Sequence, residues 1–226
     1  MSEPAEPPPL AIEVLTQTNE KKAALKLVVD SVAQQQQTAS RTIIFHPASL
    51  SIFAAVLAIA HYGAGVSKDL SAMLTIYPGV IITYLVAIRY LTSAYIRIAE
   101  GTDWLDWLKN DGVEDTIIGA RFGEDVIGAV ILRLNKSDNV AVIRGWTTRS
   151  RYRARGLGGD MLRESVKIAK QALGRDCAVE FAADHANSHM PLYAIFNGPF
   201  LARQSNAKKA LAAAVKEWQE GKEGPQ

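Results

Sequence analysis

Arg153-Ala154-Arg155-Gly156-Leu157-Gly158-Gly159 stands between a β-like segment and the helical pattern of residues 161–173. Glycines at such a junction let the backbone turn close to a ligand, and the amides opening the next helix sum into an anion site. The natural guest is a pyrophosphate. Two familiar phosphate loops are excluded by spacing. A dinucleotide fold wants Gly-x-Gly-x-x-Gly opening its first βαβ unit with an acid about 20 residues on, and a P-loop ends in Gly-Lys-Ser/Thr. Neither pattern is present.

Working outward, residues 116–122 and 126–134 read as a hairpin around Gly123-Glu124-Asp125, and residues 140–147 as the next strand. Residues 177–183 form a further strand beyond the 161–173 helix. Upstream, residues 11–15 predict a first strand and residues 19–37 a helix with a partial apolar face of Ala23, Leu25, Leu27, Val28 and Val32, ending in the string Gln34 to Gln37. Asp103 is placed to begin a short helix carrying Trp104, Leu105 and Leu108. Residues 202–220, rich in Ala and Lys, predict a helix with Ala207, Leu211, Val215 and Trp218 on one face.

The pattern Arg153-x-x-Gly156-x-Gly158 resembles the acetyl-CoA pyrophosphate loop of the GNAT N-acetyltransferases. Downstream, Asn187-Ser188-His189-Met190-Pro191-Leu192-Tyr193 followed by Asn197-Gly198-Pro199-Phe200 resembles that family's second signature, an Asn, then Leu-Tyr on a helix, then Gly-Phe. The two lie in family order, separated by one helix and one strand. The resemblance implies an α/β fold, a mixed, mostly antiparallel central sheet flanked by helices. One departure is the helix after Phe200, where the family completes its sheet with more strands, so the substrate side is expected to be shortened or completed by a partner.

Residues 42–60 (TIIFHPASLSIFAAVLAIA) and 70–88 (LSAMLTIYPGVIITYLVAI) contain no Asp, Glu, Lys or Arg. Each is close to the roughly 20 residues a helix needs to cross a hydrocarbon layer. Buried core helices are the competing reading, kept open by His46, Pro47, Ser49, Ser51 and Pro78. A small α/β domain, however, lacks the surface to cover two adjacent helices that are apolar all round. An inserted two-helix membrane hairpin is therefore expected, either spanning or re-entrant, since Pro47 and Pro78 can each bend a helix. Lys21, Lys22, Lys26 and Arg41 precede it and Arg89 and Arg97 follow, while the connecting loop holds Lys68 beside Asp69, which puts both termini in the cytosol. The order of elements is similar to membrane-anchored GNATs, a group including N-acetylaspartate synthetase and the cysteine-conjugate acetyltransferase, and implies an intracellular membrane such as the endoplasmic reticulum. The start, MSEPAEPPPL, lacks the features of a signal or transit peptide. Residues 1–10 are expected to be a disordered tail and residues 11–226 one domain, interrupted by the hairpin over residues 42–98.

The formal charge of +2 argues against nucleic acid, and the cluster Arg149, Arg151, Arg153 and Arg155 suits a phosphate-rich cofactor better. A single cysteine, Cys177, excludes an intramolecular disulfide framework. His46 and His61 have no second ligand at helical spacing, and no metal site is expected.

By the resemblance, acetyl passes directly from CoA sulfur to an amine. Arg153, Gly156 and Gly158 carry over to the pyrophosphate, with amides from Arg155 through Leu157 to Gly159 and charge from Arg153 or Arg155. An ordinary strand-to-helix turn is the structural alternative for the glycines. Tyr193 matches the tyrosine aimed at the sulfur, where a phenol of pKa about 10 is suited to protonate a thiolate; a tyrosine packed in the core is the alternative. Asn187 matches the position that contacts the pantetheine arm or caps the helix. The base is unassigned: residues 140–148 contain no acid, so Glu180, His185 and Asp184 stand level with a water relay. Two classes follow. One is a membrane-bound acetyl-CoA-dependent N-acetyltransferase acting on a small amine, an amino acid or conjugate, or a lysine. The other is a non-catalytic CoA-binding GNAT-like subunit of a membrane complex, its hairpin and C-terminal helix contacting a protein partner or a second copy.

Overall fold

Alternating apolar residues over 116–148 fold as three long antiparallel strands in the computed structural model, which describes residues 9–63, 69–110 and 112–223. These are β4 (Thr116–Phe122), β5 (Asp125–Asn135) and β6 (Val140–Thr148). Gly123, at φ 63°, supplies the left-handed residue that the tight β4–β5 turn requires. Ahead of them in the chain, β1 (Leu10–Val14) pairs antiparallel with β4, from Leu10 opposite Phe122 to Val14 opposite Ile118. Beyond them β7 (Ala178–Phe181) pairs with β6 in parallel, because the helix α6 (Leu157–Leu173) carries the chain back across the sheet. The sheet order is β1-β4-β5-β6-β7.

Period-two alternation gives the sheet two apolar faces. Ile118, Ala120, Val130, Leu132 and Ile143 meet Met161, Leu162, Val166 and Ala169 of α6. Ile117, Ala129 and Ile131 face the other way and meet Ala24, Val28 and Val32 of α1 (Thr18–Ile44). The closing helix α7 (Gly198–Glu223) lays Leu211 and Ala214 on the α6 side of the core, and Glu217 accepts from Arg163 at 2.5 Å. Among the described residues the sheet ends at β7.

The helix α1 is longer than the sequence pattern indicates. Gln34 to Gln37 do not end it; they lie mid-helix, with Gln35 buried, and the helix runs on to Ile44. It stops at Phe45 and His46 because the residue before a proline is pushed out of helical geometry. The first apolar stretch is thus divided between the end of α1 and α2 (Pro47–Gly63), with a 60° bend between them. The second stretch forms α3 (Leu70–Thr92), which continues through Pro78. Residues 64–68, including Lys68, and residues 1–8 of the expected tail lie outside the described residues.

The arm made by α2 and α3 is held at both ends. Tyr84 donates to the Ile44 carbonyl at 3.1 Å and stacks on Phe53 at 4.6 Å near the base. His61 and Tyr77 share a hydrogen bond of 2.6 Å at the far end. Along the arm, Ile52, Ile59, Leu74, Ile82 and Val86 are exposed. The run Leu70–Gly101 is long and apolar enough to cross a membrane, with 6% of its most apolar window buried. The bent pair α1 and α2 passes the same test of length and composition as one unit.

One helix escapes the sequence pattern. Ala94–Gly101 forms α4, which buries Tyr95 against Phe200, centroids 5.6 Å apart. Then α5 (Trp104–Trp107) starts where expected, with the Asp103 carboxylate accepting from the amides of Leu105 and Asp106. A small ladder of β2 (Lys109–Asn110) and β3 (Val113–Glu114) leads into the sheet.

Candidate active site

The strands β6 and β7 run parallel, so their C-terminal ends lie on one side of the sheet. Their pairing stops at Ile143 and Phe181, while β6 continues to Thr148. Arg144 sits at an irregularity opposite Ile131 and Leu132, where β6 carries one extra residue and bends. Past it, β7 gives way to a loop whose Ala186 amide still donates to the Arg144 carbonyl at 2.8 Å. The two strands thus part at a notch, and the glycine loop sits at the end of one of them.

Gly156 takes φ 85°, the left-handed conformation, and starts α6. Its carbonyl accepts from the amides of Gly159 at 2.8 Å and Asp160 at 3.2 Å. Among the described residues the amides of Leu157 and Gly158 have no such partner, as the first turn of a helix dictates, and they point out of the positive end of its dipole. Gly158 is packed close: a Cβ there would lie 3.0 Å from the Trp146 ring, whose Nε1 donates to the Gly158 carbonyl at 3.2 Å. Ala154 also takes a positive φ, 60°, an unusual conformation for a side-chain-bearing residue and one that concentrates at ligand clamps. Uncovered amides, a left-handed turn and a helix start suited to negative charge fit a pyrophosphate.

The arginines divide their roles. Arg153 braces the loop: its Nε donates to the Thr148 carbonyl and its Nη2 to Gln34 Oε1 of α1, each at 2.9 Å. Partial burial, and then Arg203 of α7, push its pKa down. Arg155 is exposed. Arg203 is the residue that sequence reasoning missed, since α7 brings it near the loop from 50 positions downstream, with no motif to mark it.

The second signature departs from expectation. Residues 187–193 are not helical; Tyr193 precedes a single 3₁₀ turn, Ala194–Phe196, before α7 begins. Met190-Pro191 accounts for this, since proline removes a donor and restrains its predecessor. Asn187 therefore caps no helix. Its side chain instead accepts from Gln35 Nε2 at 2.8 Å and donates to Ser31 Oγ at 3.1 Å, tying the loop to α1. Tyr193 is 76% exposed, its side chain neither packed in the core nor hydrogen-bonded among the described residues.

The candidate bases gather where β7 ends. Glu180 is exposed, pairs in register with Val142, and has no ion pair among the described residues. Asp184 lies 3.5 Å from Arg144. His185 departs from the near-neutral titration its type suggests: burial pulls its pKa down to about 4, against the opposing pull of Asp184. Its Nδ1 accepts the Asn187 amide at 3.1 Å, and its Nε2 is buried without a partner. With Nδ1 accepting, the neutral ring carries its proton on Nε2.

Beneath these groups runs a buried ion network that no sequence spacing signals. Asp115 accepts from Arg133 at 2.7 Å and from Arg144 at 2.9 Å. Arg144 also donates to the Trp107 carbonyl and stacks its guanidinium 4.1 Å from the Trp107 ring. It locks the bend of β6 to α5 and to the loop after β7. Among the described residues no group of three His, Cys, Asp or Glu side chains is arranged to hold a metal.

A mostly antiparallel sheet that opens at its one parallel pair, with a glycine-led helix start suited to negative charge at the opening, defines an open α/β domain. Residues 86–197 match the model of the acetyltransferase (GNAT) family, and that stretch of the chain is a GNAT domain. The family transfers acetyl from acetyl-CoA, which indicates an acetyltransferase. No curated protein and no solved structure matched the chain.

Proposed function

We propose that this protein is a membrane-bound N-acetyltransferase that moves acetyl from acetyl-CoA to a primary amine, either a small amine or amino acid conjugate or a lysine. The observation that carries it is the left-handed Gly156 turn, with the uncovered Leu157 and Gly158 amides beside the notch between β6 and β7. The pyrophosphate lies on those amides, with Arg155 and Arg203 adding charge and Arg153 bracing the loop. The pantetheine arm runs into the notch past Asn187.

In the transfer, the amine nitrogen bonds to the acetyl carbon as the carbon–sulfur bond breaks; the nitrogen gives up a proton and the thiolate gains one. Glu180, the exposed carboxylate on β7 with no ion pair among the described residues, takes the proton through water. His185 is less suited, since its accepting nitrogen is already occupied. Tyr193, exposed on the loop between β7 and α7, returns a proton to the sulfur once the ligand covers it.

The arm of α2 and α3 holds the domain in the bilayer of an intracellular membrane such as the endoplasmic reticulum, with the site toward the cytosol. Its uncovered apolar surface supports this, as do the cations flanking it. The similarity to the N-acetylaspartate synthetase type of GNAT belongs to this proposal. A second reading, a CoA-binding subunit without catalysis, is favoured by the absence of an acid on β6 and by the engaged His185.

Thiol release from acetyl-CoA by detergent-purified protein, across a panel of amines and lysine peptides, separates the two. Amine-dependent release that falls about 100-fold in Glu180→Gln and vanishes in Gly156→Asp supports the enzyme. Cofactor binding with no amine-dependent release assigns the non-catalytic role.

A further inference from the structure

At the base of the arm, α1 and α3 enclose a groove of about 390 Å³, lined on one side by Gln37, Ser40 and Arg41 and on the other by Leu85, Ile88 and Arg89. Its two arginines come from different helices, are exposed, and form no ion pair with a carboxylate among the described residues. Each occupies the last turn of its helix, where a cation complements the dipole. That accounts for one arginine on each helix, but not for both facing a single groove whose lining contains no acid.

The position is the second clue. Arg41 is the last charge before the uncharged residues 42–60, and Arg89 the first after the uncharged residues 70–88. The groove therefore straddles the level at which the apolar arm begins. Above that level stand guanidiniums, glutamine amides and Ser40, whose Oγ is hydrogen-bonded to Thr92 at 3.1 Å. Below it stand Ile44 and Leu85. Guanidinium forks match phosphate oxygens, and apolar walls continue where an acyl chain would run. Only an amphiphile satisfies both halves.

We propose that this groove binds the phosphate headgroup of an anionic phospholipid, with one acyl chain lying along Ile44 and Leu85. The proposal rests on the membrane reading of the arm, and its test keeps the two apart. The melting temperature of the full chain in non-ionic detergent is followed on addition of phosphatidylglycerol, phosphatidylcholine or inorganic phosphate, since a ligand selective for the folded state raises it. A rise with phosphatidylglycerol alone is expected. It should be lost in the double variant R41Q/R89Q and kept in K208Q/K209Q, which removes equal charge from exposed positions on α7.

A full rise in R41Q/R89Q, an equal loss in K208Q/K209Q, or the same rise with inorganic phosphate alone would overturn the lipid site. Membrane insertion is read separately, by flotation with neutral phosphatidylcholine vesicles after a carbonate wash. Both the parent and R41Q/R89Q should float, because the arm inserts through its apolar faces. Release of the parent overturns the membrane reading itself.

Discussion

At Gly156 one side chain decides the loop. A Cβ there meets nothing within 4 Å, so any cost of Gly156→Ala comes from the backbone at φ 85°, about 1–2 kcal/mol. Gly156→Asp adds to that strain a negative charge where the ligand's charge must sit. His185 sets a pH dependence. Its folded pKa is about 4 against 6.5 unfolded, so below pH 6.5 the unfolded chain takes up a proton that the folded chain refuses. Stability should fall as pH drops from 6.5 to 4, by about 3 kcal/mol in total, and urea titrations of His185→Gln should show a flatter profile over that window. Asp115 is the residue whose loss should cost most. Asp115→Ala strands Arg144, which is 5% exposed, and should lower unfolding free energy by about 3–5 kcal/mol in denaturant titration, whereas loss of the exposed Lys216–Glu220 pair should cost under about 1 kcal/mol.

At the scale of elements, what was legible in the sequence had a local cause. Period-two alternation marked β4, β5 and β6, glycine and helix periodicity marked the start of α6, and Asp103 marked α5, because in each case the determining residues are neighbours in the chain. What stayed hidden was non-local. The α4 helix has only eight residues, and it is shaped by Tyr95 stacking on Phe200, more than 100 positions away. Gln34 to Gln37 look like a helix end, yet Gln34 holds Arg153 and Gln35 holds Asn187, so these polar residues face partners instead of solvent. For the same reason the roles of Asn187 and Arg203 were unreadable, and Tyr193 was expected on a helix that Pro191 prevents. Gln35→Ala should therefore loosen the loop that follows β7, costing about 1–3 kcal/mol because Asn187 loses its buried donor, with faster amide hydrogen exchange over residues 187–197 as the readout.

The whole molecule joins a packed α/β domain to an arm that its own core does not cover, and α1 belongs to both. If the arm lies in lipid, Ile82→Arg on its exposed face should leave the domain's melting temperature in detergent unchanged while costing about 2.5–3.5 kcal/mol in insertion, read as release by carbonate. The same substitution in a helix merely exposed to water would change neither. The claim on which the functional reading depends is that the Gly156 loop holds acetyl-CoA. It is tested most directly by the melting temperature of the detergent-purified chain across an acetyl-CoA titration, beside Gly156→Asp. A concentration-dependent rise in the parent that the variant lacks is the expected result; no rise at millimolar acetyl-CoA, or an equal rise in both proteins, would contradict it.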